Sequence, residues 1–430
     1  MHTSVRTIDT TGRNRGVISL TLLATAFLAA AILSVPVRAQ DLDLLIRDGH
    51  VIDPRNGLTD VRDVGIAGDT IAVVAPYVSK SRAETVIDAT GMYVTPGLID
   101  MHVHVFHGTR PDKYIADSYA SVKPDGYTLR AGVTTAVDVG SAGWRNFRTF
   151  VKQTVERSET RILAFINIVG VGMEGEPEEQ DLGDMNPKLT AMTAGQYEDV
   201  IVGVKLAHYR GHEWEPTERA VKAGERAGIP VMVDFGHAEP PLSIEELFME
   251  RLRPGDIFTH TYANVSGREA VVEEGELRPF ILDAQQRGIV FDVGHGGGSF
   301  LFSQGVPGTR QGFWPNSIST DLHTGSMNAG MKNMTNVMSK FLNLGMDLQE
   351  VIAKSTWRPA QYIQRPDLGH LSEGAVADVA VLNLKEGNFG FVDVYGTRYD
   401  GSQKLEAELT VRAGEVVWDL NGMSAPLWNE

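Results

Sequence analysis

Apolar and polar residues alternate in short runs at both ends of the chain. In the first stretch, runs at 44–47, 51–52, 61–66, 71–74 and 85–87 are cut by Asp48-Gly49, Asp53-Pro54, Asn56-Gly57, Gly68-Asp69 and Thr90-Gly91, the punctuation of antiparallel strands. Runs at 377–382, 390–394, 409–411 and 415–418 repeat this style near the other end. The two ends are therefore expected to form one small β-sandwich domain together. Between them, β-rich runs alternate with helical stretches, with strands predicted at 98–105, 134–139, 162–168, 200–206, 230–235, 256–261, 288–293 and 317–321. That pattern belongs to a parallel sheet with crossover helices, and eight strands close a barrel. A doubly wound open sheet would carry a glycine-rich phosphate loop after its first strand. This chain has Asp100-Met101-His102-Val103-His104 there instead. The predicted fold is α/β: a (β/α)8 TIM barrel over 95–366 with the β-sandwich built from 40–94 and 367–430.

The first 39 residues have a different texture. Arg13 and Arg15 precede an apolar run from Val17 to Val35, and Val37-Arg38-Ala39 follows as a small-residue cleavage pattern. This reads as a signal peptide over 1–39 cleaved before Gln40, the alternative being an uncleaved anchor of about the ~20 residues that a spanning helix needs. With 430 residues, 42% of them hydrophobic, the chain has ample material for a large core, which excludes a disordered protein. Net charge is -16, with acidic and basic residues interspersed, so no basic stripe exists for nucleic acid. Zero cysteines remove disulfides and thiolate ligands from consideration. A bacterial periplasmic or secreted protein, without stable membrane association after cleavage, is the expected address.

A barrel carries its active site at the C-terminal ends of its strands, and metal-ligating residue types gather at those positions. His102 and His104 end the first strand at spacing two, which turns both to one side. His237 follows the fifth strand, His260 lies in the sixth, and Asp321 ends the eighth. Lys205 sits in the fourth strand among Val202, Val204 and Leu206. A histidine alone at a strand end is commonly just a hydrogen-bonded polar residue. Five such strand ends share one mouth, however, and unpaired buried polar groups cost a few kcal/mol each, so a bound metal is a common reason for all of them. Lys205 admits three readings: a buried ion pair with Asp321, a base of depressed pKa, or a carbamate bridging two metals.

The run Pro96-Gly97-Leu98-Ile99-Asp100-Met101-His102-Val103-His104, followed in order by Lys205, His237, His260 and Asp321, resembles the amidohydrolase superfamily with a two-metal centre. Within it the chain is most similar to the amidohydrolase/deacetylase metallohydrolases and, beside them, the dihydroorotases. The resemblance implies that His102, His104 and Asp321 hold a buried metal and that His237 and His260 hold a more exposed one. It also implies that Lys205, carboxylated by carbon dioxide, bridges the two, with zinc expected for both ions. Two such ions about 3.5 to 4 Å apart acidify a shared water, and Asp321 would then shuttle the proton to the leaving group. The expected outcome is cleavage of an amide or ester in a small acylated substrate.

Further residues are expected at the mouth. Arg210 is a candidate clamp for a substrate carboxylate, with a surface ion pair as the alternative. His295 and Gly297, in the run His295-Gly296-Gly297-Gly298-Ser299, are candidate substrate contacts through close approach of backbone amides. His323 and His107 match no family ligand position. The methionines at 327, 331, 334, 338 and 346 recur near helical spacing and are expected in the core. Two competing functions remain open. A mononuclear deaminase on the same barrel would use a glutamate three residues past the fifth-strand histidine, where this chain has Pro240, with Glu239 one residue earlier. A non-catalytic binding protein would be expected to have lost a ligand.

Overall fold

The computed structural model describes residues 41–428 apart from Phe235 and His237. The signal-peptide reading of 1–39 and the ligand reading of His237 therefore lie outside the described residues. Among those described, no helix is long and apolar enough to cross a membrane.

The two ends of the chain meet in one mixed sheet. Leu42–Asp53, Leu58–Ala67, Thr70–Ala75, Ala83–Asp88 and Tyr93–Pro96 come from the N-terminal side, Val379–Val392, Arg398–Arg412 and Glu415–Asp419 from the C-terminal side. Asp48-Gly49, which reads as a turn, is instead a bulge inside the continuous first strand. Asp48 takes a positive φ of 57° there, a conformation that Asp tolerates better than most residues. The bulge divides the strand: its first half pairs with Ala83–Asp88 and its second half with Tyr93–Pro96. Both pairings are parallel, which corrects the antiparallel expectation for this stretch. Period-two alternation is the same for either direction, so the pattern could not distinguish them. Leu44, Ile46, Val64, Ile87, Val379 and Leu409 share the core of this unit.

The barrel strands are Leu98–Val103, Val133–Gly143, Arg161–Asn167, Ile201–Leu206, Val231–Val233, Ile257–Phe258 and Val290–Phe291, all parallel and adjacent in chain order. Residues 317–322 form the eighth position: Asp292 bridges Ser317 and Val103 bridges Leu322, so the ring closes between its last and first members. Alternation sorts side chains into two buried layers. Leu163 and Phe165 point inward with Ile99, Met101, Val139 and Met232, while Ile162, Ala164 and Ile166 face the helices with Val204, Leu206 and Val233. Burial on both faces explains why these strands read as continuous apolar runs. Strands five to seven are shorter than their apolar runs suggest. The chain leaves extended geometry near their ends, at His260 and Gly294 with φ of 55° and 46°. Met331, Met334, Met338 and Met346 are buried as expected.

Candidate metal centre

The first barrel strand carries an irregularity between Asp100 and Val103. Ile99 and Met101 face the barrel interior, so strict alternation would turn His102 outward; the irregularity turns it inward with His104. In the fourth strand Val204 and Leu206 face outward, which leaves Lys205 between them pointing in. These side chains meet His260 and Asp321 at one end of the barrel, and His102, His260 and Asp321 each offer a ligand atom within 4.8 Å of the others. All are buried, His102 and Lys205 almost completely.

Each histidine is aimed through its other nitrogen. His102 Nδ1 lies 2.9 Å from Thr259 Oγ1, whose hydroxyl donates to Asp292 Oδ2 at 2.9 Å. His104 Nδ1 lies 3.0 Å from Ser141 Oγ, and His260 Nδ1 donates to the Gly294 carbonyl at 2.7 Å. With Nδ1 occupied, each ring presents Nε2 inward, as metal-ligating imidazoles do. His102 Nε2 is buried without a hydrogen-bond partner. Burial, then the neighbouring Lys205, His260 and His104 charges, pushes the His102 pKa well below its usual value. A buried imidazole nitrogen without a hydrogen-bond partner is suited to ligate a metal ion.

Asp321 has a φ of 51° and splits its oxygens between two tasks. Oδ1 lies 3.2 Å from His104 Nε2 and 3.7 Å from His102 Nε2, while Oδ2 lies 3.8 Å from His323 Nε2 on the mouth side. Burial opposes its ionisation, but the His323 and His104 contacts hold its pKa at about 2. Burial likewise lowers the Lys205 pKa, against the pull of Asp234, Asp321 and Asp292. A buried amine of lowered pKa is a nucleophile, the property needed to add carbon dioxide. Gly296, at φ 56°, packs directly on Asp321: a Cβ there would sit 2.3 Å from Oδ2. Gly296→Ala is expected to displace the carboxylate and lower kcat by roughly 10²-fold, with a melting curve that stays cooperative; unchanged kinetics would show that Asp321 needs no such clearance.

Above the ligands lies a cavity of about 250 Å³ lined by Asp234, His260, Asp321 and His323 together with Tyr114, His208, Arg268 and Gly297 to Ser299. Gly297 lines this cavity. Arg210 lies outside this cavity, at the rim of a neighbouring one, in an exposed ion pair with Glu176 at 2.6 Å. His295 also departs from expectation. It is fully buried, stacked on Phe300, with Nε2 2.5 Å from Lys340 Nζ and Nδ1 donating to the Gly296 carbonyl at 3.0 Å. It therefore supports the glycine run from beneath and does not face the cavity. Lys340 also donates to the carbonyls of Gly330 and Val392, each at 2.8 Å.

Burial, opposed by Asp393 and reinforced by Lys332, lowers the Lys340 pKa from 10.5 to about 7. Between those two values the unfolded chain holds a proton that the folded chain lacks, so this residue makes stability rise with pH across that window. Lys340→Met is expected to flatten that rise, measured as the urea midpoint against pH; an unchanged slope would contradict the assignment.

Sequence reasoning missed Asp234 and the carboxylates beneath the histidines. Asp234 is 8% exposed and approaches His260 Nε2 at 3.3 Å. Burial opposes its ionisation, yet the His260, Lys205 and His208 charges hold its pKa far below the usual range. His208 Nδ1 lies 2.9 Å from Glu179 Oε2, and although burial works against protonation, that carboxylate raises its pKa. Asp138 accepts from the Val105 and Ser141 amides at 2.8 and 2.9 Å. Acidic residues at the ends of apolar runs are the only signal that could have found them.

The amidohydrolase family model matches residues 311–417. The chain is 33% identical over 342 residues to a deacetylase of Agrobacterium fabrum, covering 78% of this chain and 81% of that protein. A deacetylase of Enterococcus faecalis is 29% identical over 385 residues, covering 87% and 99%. Among solved structures, an adenine deaminase superposes with a TM-score of 0.78 at 26% identity, covering 88% of this chain and all of that one. A dihydroorotase follows at 0.75 and 29% identity, covering 87% and 99%. The chain belongs to the amidohydrolase superfamily and is a metal-dependent hydrolase acting on carbon–nitrogen bonds.

Proposed function

We propose that this enzyme removes an acyl group from a small substrate through an amide or ester bond, using two divalent ions, with zinc as the ion that suits the nitrogen and oxygen donors. In this reading His102, His104 and Asp321 hold the deeper ion, and His260 with a fifth-strand ligand holds the outer one. Lys205, carboxylated with loss of one proton, would supply an anionic ligand to this centre. His237 is the fifth-strand ligand that the family resemblance supplies. The observation that carries the reading is the convergence of buried imidazole Nε2 atoms around His102 Nε2, which has no partner of its own. Similarity to deacetylases supports acyl removal over the deaminase alternative.

When bound, such ions acidify water and polarise a carbonyl. The chain's own residues do the rest. Asp321 Oδ2, on the cavity side, accepts the proton released as the substrate carbonyl is attacked and returns it to the leaving nitrogen or oxygen. His323, at 3.8 Å, lies beside that oxygen. Gly297 and Gly298 let the substrate approach the backbone without an intervening side chain. A substrate carboxylate would meet His208, whose ring Glu179 biases toward the charged form, before it reached Arg210. The apolar run and cleavage pattern before Gln40 support export to the periplasm or medium.

Metal content and substrate turnover test this reading together. Elemental analysis of the purified protein is expected to find about two ions per chain, and N-acyl or O-acyl carboxylates are expected to be hydrolysed. About one ion per chain with release of ammonia from an aminopurine would favour the deaminase, and no metal after reconstitution with zinc and bicarbonate would remove the reading.

A further inference from the structure

The fifth strand ends on a carboxylate. Met232 pairs with Lys205 and Val233 with Leu206, and the Asp234 amide continues the ladder to the Leu206 carbonyl at 2.9 Å. Met232 faces the barrel interior and Val233 the helices, so alternation turns Asp234 inward, two residues beyond the level of Lys205. There Oδ2 lies 3.3 Å from His260 Nε2. With His260 Nδ1 engaged by the Gly294 carbonyl at 2.7 Å, Nε2 is the ring nitrogen that faces Asp234. An imidazole Nε2 and a carboxylate oxygen at that separation are placed as two ligands of one cation would be.

The other carboxylate oxygen is fixed independently. Arg268, only 6% exposed, donates from Nη1 toward Asp234 Oδ1 at 3.2 Å and from Nη2 to the carbonyls of Thr259 and His260 at 3.0 Å each. One guanidinium thus orients the aspartate and the backbone that carries His260, the kind of outer support that metal-ligating carboxylates receive. The geometry points to Asp234 as the fifth-strand ligand of the outer metal, filling the place that the family resemblance gives to His237. The assignment rests on the two-metal reading proposed above. It makes the donor set one unit more negative than an imidazole would, and Arg268 offsets that charge.

Elemental analysis of three variants beside the wild type tests the assignment without recourse to activity. Asp234→Asn keeps the shape and an acceptor for Arg268 but offers a poor, neutral ligand; it is expected to hold about one ion per chain where the wild type holds about two. Asp234→His restores a ligating nitrogen and is expected to return toward about two. His237→Ala is expected to stay at about two. The d–d absorption of the cobalt-substituted protein should lose one component in Asp234→Asn alone. An Asp234→Asn variant that melts like the wild type and keeps both ions would overturn the assignment. So would loss of one ion in His237→Ala with Asp234→Asn unaffected. A wild type that holds fewer than two ions would instead bring down the two-metal reading, and this assignment with it.

Discussion

Lys205→Ala is expected to leave the chain with little bound metal and to lower kcat/KM by at least about 10³-fold, roughly 4 kcal/mol of transition-state stabilisation. The residue faces inward on the fourth strand, between outward-facing Val204 and Leu206, and is 1% exposed. Burial lowers the pKa of its amine, and Asp234 and Asp321 exert the strongest opposing electrostatic pull. If Lys205 served only as an ion-pair partner for these carboxylates, its removal would concentrate negative charge at the mouth, and metal would bind more tightly. If it becomes an anionic bridge, its removal costs both ions a ligand. The two roles therefore predict opposite changes in metal content, which elemental analysis reads directly. Its aliphatic chain packs against Gly140, where an added Cβ would lie 2.6 Å from Lys205 Cγ. Loss of that packing lowers stability in either case, so the melting temperature does not distinguish them. Full occupancy of both sites in the alanine variant would refute the bridge.

Asp321→Asn divides ligation from proton transfer. The amide oxygen can remain where Oδ1 lies, near His104 and His102, and the backbone is held by Ser326, whose hydroxyl donates to the Asp321 carbonyl at 2.8 Å. Much of the metal should therefore stay bound. The amide cannot take and return a proton at the position of Oδ2, and loss of general acid–base catalysis costs about 10²- to 10⁴-fold. Turnover is expected to fall to that extent in steady-state assays while metal content falls far less. A variant of near-normal activity would require another proton carrier, and His323, whose Nε2 lies 3.8 Å from Oδ2, is placed to be one.

Much of the centre was legible because its residues contradict their surroundings. A lysine inside an apolar strand, histidines two apart at a strand end, and an aspartate closing the eighth run are each costly to bury without a reason. Residues whose roles depend on distant partners were not legible. His295 lies in a glycine-rich run that suggests substrate contact, yet its partner Lys340 is 45 positions away on the helix Met334–Asn343, and this pairing takes the ring into the core. Arg210 meets Glu176 from another loop. Asp234 and His237 stand three residues apart, and an apolar run does not tell which of them ends the strand.

The order of apolar runs, their period and their turn residues determined the barrel, the pairing of the two chain ends and the identity of most candidate ligands, because burial and backbone hydrogen bonding act along the chain on every residue. Tertiary structure decided what the period leaves degenerate. It set the parallel direction of Ala83–Asp88 and Tyr93–Pro96 beside the first strand, and the local irregularity that turns His102 inward. It also set the imidazole nitrogen that each histidine presents, through Thr259, Ser141 and Gly294. These depend on contacts between residues far apart in sequence, and single-chain periodicity carries no term for such contacts.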